Sequence, residues 1–208
     1  MLRLVAFLAL VALSPVLLVI ACAVALEDGF PVLFRQTRMG RGARPFQILK
    51  FRSMTNGNSG TPLTARGDAR ITRVGRFLRR YKLDEIPQLW NLARGEMSLI
   101  GPRPEVPAFV NAADPLWRSV LSAKPGITCL ATLVFRNEEE LLAAAAQPER
   151  HYREILLPEK LRLNLEYLQR RDFWSDTKLL LLTLLLSLRP GLYDSHELKR
   201  LFIGEACA

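Results

Sequence analysis

From Leu4 to Leu26 the chain carries no charged side chain, and Ser14-Pro15 falls near the middle of that run. The run is long enough to cross a hydrocarbon core of ~30 Å as one straight helix. A proline ring removes one helical hydrogen bond and presses on the preceding turn, so a bend or break is expected there. Three readings compete: a straight span in which the serine hydroxyl re-satisfies a freed carbonyl, a cleaved signal peptide ending near Ala21-x-Ala23, and a re-entrant helix-break-helix that returns to its own leaflet. Arg3 is the one basic side chain ahead of the run, whereas Arg35, Arg38, Arg41, Arg44, Lys50 and Arg52 follow it closely. That asymmetry sets export aside and keeps the following domain cytoplasmic. Straight span and hairpin both stay open on the residues alone.

The 208 residues, half of them hydrophobic, suffice for one domain with a real core. The division expected is a membrane segment over 1–28, a cytosolic domain over 29–190 and a tail over 191–208 that carries no recognisable signal. A net charge of +9 points to anionic partners: nucleic acid, phosphorylated small molecules or a lipid surface. Cys22, Cys129 and Cys207 form no CxxC pair and fit a reducing compartment. His151 and His196 are too isolated to suggest zinc.

Val32-Leu33-Phe34 and Phe46 to Phe51 read as strands of a small hairpin. Asn56 to Gly75 is dense in turn formers and reads as an exposed loop. Val74, Phe77, Leu78 and Tyr81 then recur at helical spacing among Arg76, Arg79, Arg80 and Lys82, a basic amphipathic helix ended or kinked by Pro87. Leu89, Trp90 and Leu92 give a second apolar turn stopped by Gly95. "SLIGPRPEVP" is extended, because residues before proline avoid helical angles. Asn137 to Ala146 and Pro158 to Arg170 read as helices separated at Gln147-Pro148. The leucine-rich Leu179 to Leu188 run, too short to span, fits a core helix or, by preference, a helix lying in the membrane interface. The fold class expected is α+β, mainly helical, with a membrane helix-break-helix, a β-hairpin and amphipathic interfacial helices.

Inside this basic chain, "KLDEIPQLWN" sets Asp84 and Glu85 side by side. An acidic residue just before a helical segment is commonly an N-cap, and Pro87 suits a first turn. Yet neighbouring side chains on a helix point ~100° apart, so the two carboxylates can take separate roles. Arg79 lies close in sequence, and Arg103 is locked in Pro102-Arg103-Pro104, which suits a forked grip on a phosphate. Two carboxylates among arginines behind an apolar anchor suggest phosphoryl chemistry: one holds a divalent metal, the other attacks phosphorus. An aspartate of ordinary pKa ~3.9 is already ionised and needs only relief from repulsion by the substrate.

"PVLFRQTRMGRGARPFQILKFRSM", "DARITRVGRFLRRYKLDEIPQLWNLARGEMSLIGPRPEVP" and "KPGIT" resemble the bacterial sugar transferase family, the monotopic phosphoglycosyl transferases. The resemblance implies transfer of a phospho-sugar from a nucleotide diphosphate sugar, usually a UDP-sugar, to undecaprenyl or another polyprenyl phosphate, with loss of UMP. It implies Asp84 as the nucleophile, Glu85 as a ligand of Mg2+, and Arg79 and Arg103 on phosphates. Lys50 and Arg52 are weaker candidates for phosphate or headgroup contact. It favours the re-entrant membrane hairpin broken at Ser14-Pro15, on the cytoplasmic face of a bacterial inner membrane. The expected partners are the sugar donor, the lipid acceptor and membrane lipids, with downstream glycosyltransferases and a second copy as further options and no nucleic acid. From Cys129 to Leu142 the chain departs from the family's frequent continuation. Two alternatives stay open: a membrane-tethered binder of anionic lipid or nucleic acid, and an inactive assembly scaffold.

Overall fold

A computed structural model describes residues 1–55, 63–192 and 194–203. The 56–62 part of the expected loop and Cys207 lie outside these described residues.

Helix α1 (Leu2–Asp28) runs with Pro15 inside it, so the discontinuity expected at Ser14-Pro15 does not interrupt the helix. Pro15 has no N–H for the Val11 carbonyl one turn back, and the Ser14 hydroxyl donates to that carbonyl at 2.7 Å instead. Leu4, Phe7, Leu8, Val11, Leu18 and Val19 are all exposed. Among the described residues, α1 is the helix long and apolar enough to cross a membrane. Apolar surface on this scale is not left to water. Both ends of α1 nevertheless rest on the same protein body. The Arg3 guanidinium covers Gly95, so closely that a Cβ there would lie 2.3 Å from it. At the other end, Ile20 and Val24 pack on Phe51 and Leu78.

Strands β1 (Leu33–Met39) and β2 (Pro45–Phe51) pair antiparallel with Leu33 opposite Phe51 and Met39 opposite Pro45, the hairpin read from the sequence. Helix α2 (Arg73–Arg80) follows. Its free N–H groups are satisfied twice over: the Thr72 hydroxyl accepts from Gly75, and the Glu27 carboxylate of α1 accepts from Arg73 and Val74 at 2.8 Å each. Leu78 is buried, whereas Phe77, from the same expected stripe, is exposed. The helix ends at Arg80 rather than at Pro87, because Lys82 adopts a left-handed conformation (φ 58°). Helix α3 (Gln88–Arg94) ends on left-handed Gly95 as expected. Buried Asn91 of α3 acts on β2 like an extra strand: its Oδ1 accepts from the Leu49 N–H at 3.1 Å and its Nδ2 donates to the Gln47 carbonyl at 2.7 Å.

The short strand β3 (Ser98–Ile100) pairs parallel with β4 (Gly126–Thr128). Gly126 permits this approach, since a Cβ there would lie 2.1 Å from the Gly101 nitrogen. Its own N–H donates to the Pro102 carbonyl at 3.0 Å, which fixes the Pro102-Arg103-Pro104 loop.

The remaining body is helical: α4 (Pro115–Ser122), α5 (Leu130–Val134), α6 (Glu138–Ala144), α7 (Pro148–His151), α8 (Leu157–Arg170), α9 (Phe173–Leu188) and α10 (Ser195–Ile203). A π-helical turn, Tyr152–Leu156, joins α7 to α8. Pro158 explains it, because a proline cannot donate in the regular ladder, and the Leu157 N–H reaches back to Tyr152. Helix α8 supplies two cores: Leu157 and Leu161 meet Trp117 and Leu142, while Leu163 and Tyr167 meet Leu133, Leu179 and Leu198. Helix α9 is in part the core helix considered for it. Leu179 and Leu186 are core, and Leu181, Leu184, Leu185 and Leu188 face outward beside exposed Phe173 and Trp174. Residues 195–203, part of the expected tail, dock as α10 through Leu198.

Gly75 is where α2 touches the segment that follows β2: a Cβ there would sit 2.0 Å from the Ser53 carbonyl oxygen. Gly75→Ala must push α2 off Ser53 and is expected to cost about 1–3 kcal/mol, read as a lowered thermal unfolding midpoint.

Candidate active site

Left-handed Lys82 turns the chain out of α2 into a 3-10 turn, Leu83–Glu85, before Pro87 opens α3. Successive side chains on such a turn diverge by ~120°. Asp84 and Glu85 therefore leave the backbone differently, yet both are buried, at 6% and 9% exposure. Asp84 does not cap α3, whose N-terminus has no side-chain cap.

Glu85 Oε1 lies 2.8 Å from Lys50 Nζ and 2.5 Å from Arg103 Nη2, and Arg103 Nη1 donates to Oε2 at 3.2 Å. Burial alone would raise its pKa, but the Arg103 and Lys50 charges hold it well below the ordinary value. Arg103, facing Glu85, is held more firmly protonated than usual. Asp84 goes the other way: burial, then the Glu85 charge, raises its pKa. The ordinary aspartate expected from the sequence is thus corrected by desolvation. Asp84 Oδ1 is buried without a hydrogen-bond partner.

These groups line a cavity of about 430 Å³. Arg79 lines it too, ion-paired with Glu139 of α6 and 3.7 Å from Met54 Sδ. Arg52 lines it in part, but its charge is committed to the end of α1: Nε lies 3.0 Å from Asp28 Oδ2, and Nη2 donates to the Asp28 carbonyl and, at 2.6 Å, to that of Gly29. Arg52 thus secures the anchor, which was not among its expected roles. Ser14 and Pro15 lie in α1, outside this lining. Sequence reasoning missed Arg38, Glu105, Glu138, Tyr152 and Lys160 in the cavity wall. Of these, Glu138 alone falls within the Cys129 to Leu142 segment that the sequence marks as unusual.

No group of three His, Cys, Asp or Glu side chains among the described residues forms a ready metal cage. Magnesium, however, commonly takes one or two carboxylates and fills the rest of its shell with water and substrate phosphate. The unpartnered Asp84 oxygen fits that mode. Glu85 fits it only where its grip on Lys50 or Arg103 loosens.

The sequence model described as Bacterial sugar transferase matches residues 2–190. This chain belongs to that family. It is 40% identical over 176 residues to "UDP-glucose:undecaprenyl-phosphate glucose-1-phosphate transferase" of Caulobacter vibrioides, covering 82% of this chain and 61% of that protein. It is 37% identical over 184 residues to the protein of the same name from Escherichia coli (strain K12), covering 86% of this chain and 37% of that protein. It is 43% identical over 126 residues to "UDP-N-acetylgalactosamine-undecaprenyl-phosphate N-acetylgalactosaminephosphotransferase" of Aeromonas hydrophila, covering 58% and 30%. The chain thus spans roughly a third to three-fifths of these relatives' lengths.

The two adjacent carboxylates have opposite effects on stability. Glu85, with a lowered folded pKa, contributes stability present above its unfolded value of 4.5 and lost as pH falls through the folded pKa. Asp84, with a raised folded pKa, carries a penalty that is absent below its unfolded value of 3.8 and complete above the folded pKa. Asp84→Asn is therefore expected to raise the unfolding midpoint at neutral pH, with the gain vanishing in acid. Calorimetry across pH checks it, each ~1 kcal/mol of relief reading as about 2–4 °C.

Proposed function

We propose that this sugar transferase moves a sugar-1-phosphate from a nucleotide diphosphate sugar, a UDP-sugar in the first instance, to undecaprenyl or a related polyprenyl phosphate through a phospho-sugar bound to Asp84. The single observation that carries this reading is the buried Asp84 carboxylate, its Oδ1 without a hydrogen-bond partner, beside a Glu85 neutralised by Lys50 and Arg103. Relatives named for this transfer to undecaprenyl phosphate support it.

An Asp84 oxygen attacks the phosphorus that bears the sugar. A P–O bond forms to Asp84 as the bridging P–O bond to the nucleotide breaks, and UMP departs with that electron pair. An oxygen of the polyprenyl phosphate then attacks the same phosphorus, the bond to Asp84 breaks, and its carboxylate is restored. No net proton is needed, and a carboxylate with raised pKa is a better nucleophile once ionised. Arg103 and Lys50 hold Glu85 and can offer further donors to the diphosphate. Arg79 must exchange Glu139 for substrate phosphate, one anion for another. Mg2+, when bound through Asp84 and Glu85, would neutralise diphosphate charge.

For α1 we propose the re-entrant topology on the cytoplasmic face of the inner membrane. Its support is the contact of both ends with one body: Arg3 over Gly95 and Glu27 on the start of α2. A straight helix would separate those two residues by ~36 Å at ~1.5 Å per residue.

In detergent with Mg2+, polyprenyl phosphate and a panel of UDP-sugars, the parent is expected to release UMP. Asp84→Asn should abolish it, and mass spectrometry of trapped turnover should find phospho-sugar on Asp84; an unmodified Asp84 with full activity in the amide variant would sink the reading. Arg103→Ala should slow turnover about tenfold to a hundredfold. Chelating divalent ions should stop turnover and adding Mg2+ restore it. Ionisation of Asp84 should appear as an acid limb in kcat/KM that rises with pH, at an apparent value above 3.8. A cysteine placed at Leu2 should resist an impermeant thiol reagent in intact cells; labelling there would exclude the hairpin.

A further inference from the structure

A second hydrogen-bonded group in the cavity wall has no part in the chemistry above. Arg38 Nη1 lies 3.5 Å from Glu105 Oε1. The Tyr152 hydroxyl hydrogen-bonds Glu105 and accepts from Lys160 Nζ at 3.2 Å. Lys160 Nζ in turn lies 2.7 Å from Glu138 Oε2. Tyr152 is 1% and Lys160 7% exposed, and all five side chains line the same cavity as Asp84.

The helix is built to bring two of them together. Tyr152 and Lys160 are eight residues apart, which on a regular α-helix turns them ~80° away from each other. The π-helical turn at Tyr152–Leu156 takes up an extra residue, and the offset falls to ~20°. Without it, the hydroxyl and the ammonium would not share a wall.

The charges of this group balance: Arg38 and Lys160 against Glu105 and Glu138. Around Asp84 and Glu85, by contrast, Lys50, Arg79, Lys82 and Arg103 are in excess. The cationic group suits phosphates. A balanced group of alternating buried donors and acceptors suits a neutral partner rich in hydroxyls, each of which both gives and takes a hydrogen bond. A nucleobase fits less well beside this group, because Phe109, the ring packed on Tyr152, is already covered. Phe109 has Arg153 over it at 4.5 Å and Tyr152 packed against it at 5.0 Å.

Resting on the proposed phospho-sugar transfer, we infer that Tyr152, Lys160 and Glu138 form the subsite that reads the hydroxyls of the donor's sugar and sets sugar specificity. Sites that hydrogen-bond a substrate hydroxyl reject analogues that lack it.

The test uses the full chain in detergent, Tyr152→Phe, Glu138→Gln, the parent's preferred UDP-sugar and its monodeoxy analogues. Tyr152→Phe keeps the ring against Phe109 and deletes one hydroxyl. Each variant is expected to lower kcat/KM for the donor about tenfold to a hundredfold, while the inhibition constant of UMP moves less than twofold. For one monodeoxy donor the variant and parent should differ little, because the lost contact is already missing. Equal losses with every donor, or a UMP constant rising in step with them, would overturn the assignment in favour of a structural or base-reading role. So would unchanged kinetics in both variants. A folded parent that turns over no donor would overturn this inference together with the transfer reading beneath it, an outcome distinct from an active parent matched by its variants.

Discussion

The clasp of Lys50 and Arg103 on Glu85 is the interaction on which the rest of the structure depends, because it joins three segments far apart in sequence. Lys50 belongs to β2, Glu85 to the 3-10 turn after α2, and Arg103 to a proline-locked loop. Taking three charges out of water is expensive and is repaid only where geometry is good and every partner is present. Here both oxygens of Glu85 are used. Losing one partner would leave a buried charge exposed to its neighbours and loosen the turn that carries Asp84.

Neutral groups keep that clasp in register. Asn91 bonds the Gln47 carbonyl and the Leu49 N–H, the two backbone groups that flank Ile48, and so fixes β2 one residue from Lys50. Gly126 lets β4 close on Gly101, and its N–H holds Pro102 beside Arg103. Glu27 caps α2, and Arg52 clamps the end of α1, so the apolar helix is fastened to the helix that leads directly into the turn carrying Asp84 and Glu85. The depth of Asp84 relative to a lipid surface is thereby set by protein contacts rather than by a flexible linker.

Much of this was legible in the residues. Strand alternation gave the hairpin, helical spacing gave α2, Gly95 marked the end of α3, and Asp84, Glu85, Lys50, Arg79 and Arg103 do line one cavity. What stayed hidden did so for physical reasons. Arg52 lines the cavity too, but its hold on Asp28 and Gly29, more than twenty positions away, has no local signature. Helix α4 went unnoticed although Asp114-Pro115 is a cap followed by a favoured first residue. Periodicity also assumes constant phase, so a π turn induced by Pro158 hides the alignment of Tyr152 with Lys160. The effect of burial on Asp84 has no local sequence signature at all.

Asp84 and Glu85 illustrate why adjacent carboxylates need not behave alike. Glu85 reaches two cations and stays ionised at the cost of being occupied. Asp84, one methylene shorter, leaves an oxygen without a partner, and its charged form is disfavoured until a cation or an electrophile arrives. In the proposed transfer, a nucleophile satisfied in the free protein would have to break those bonds before reacting. Leaving Asp84 Oδ1 unsatisfied would move that cost from the chemical step to the resting fold, where the two cores shared along α8 can offset it.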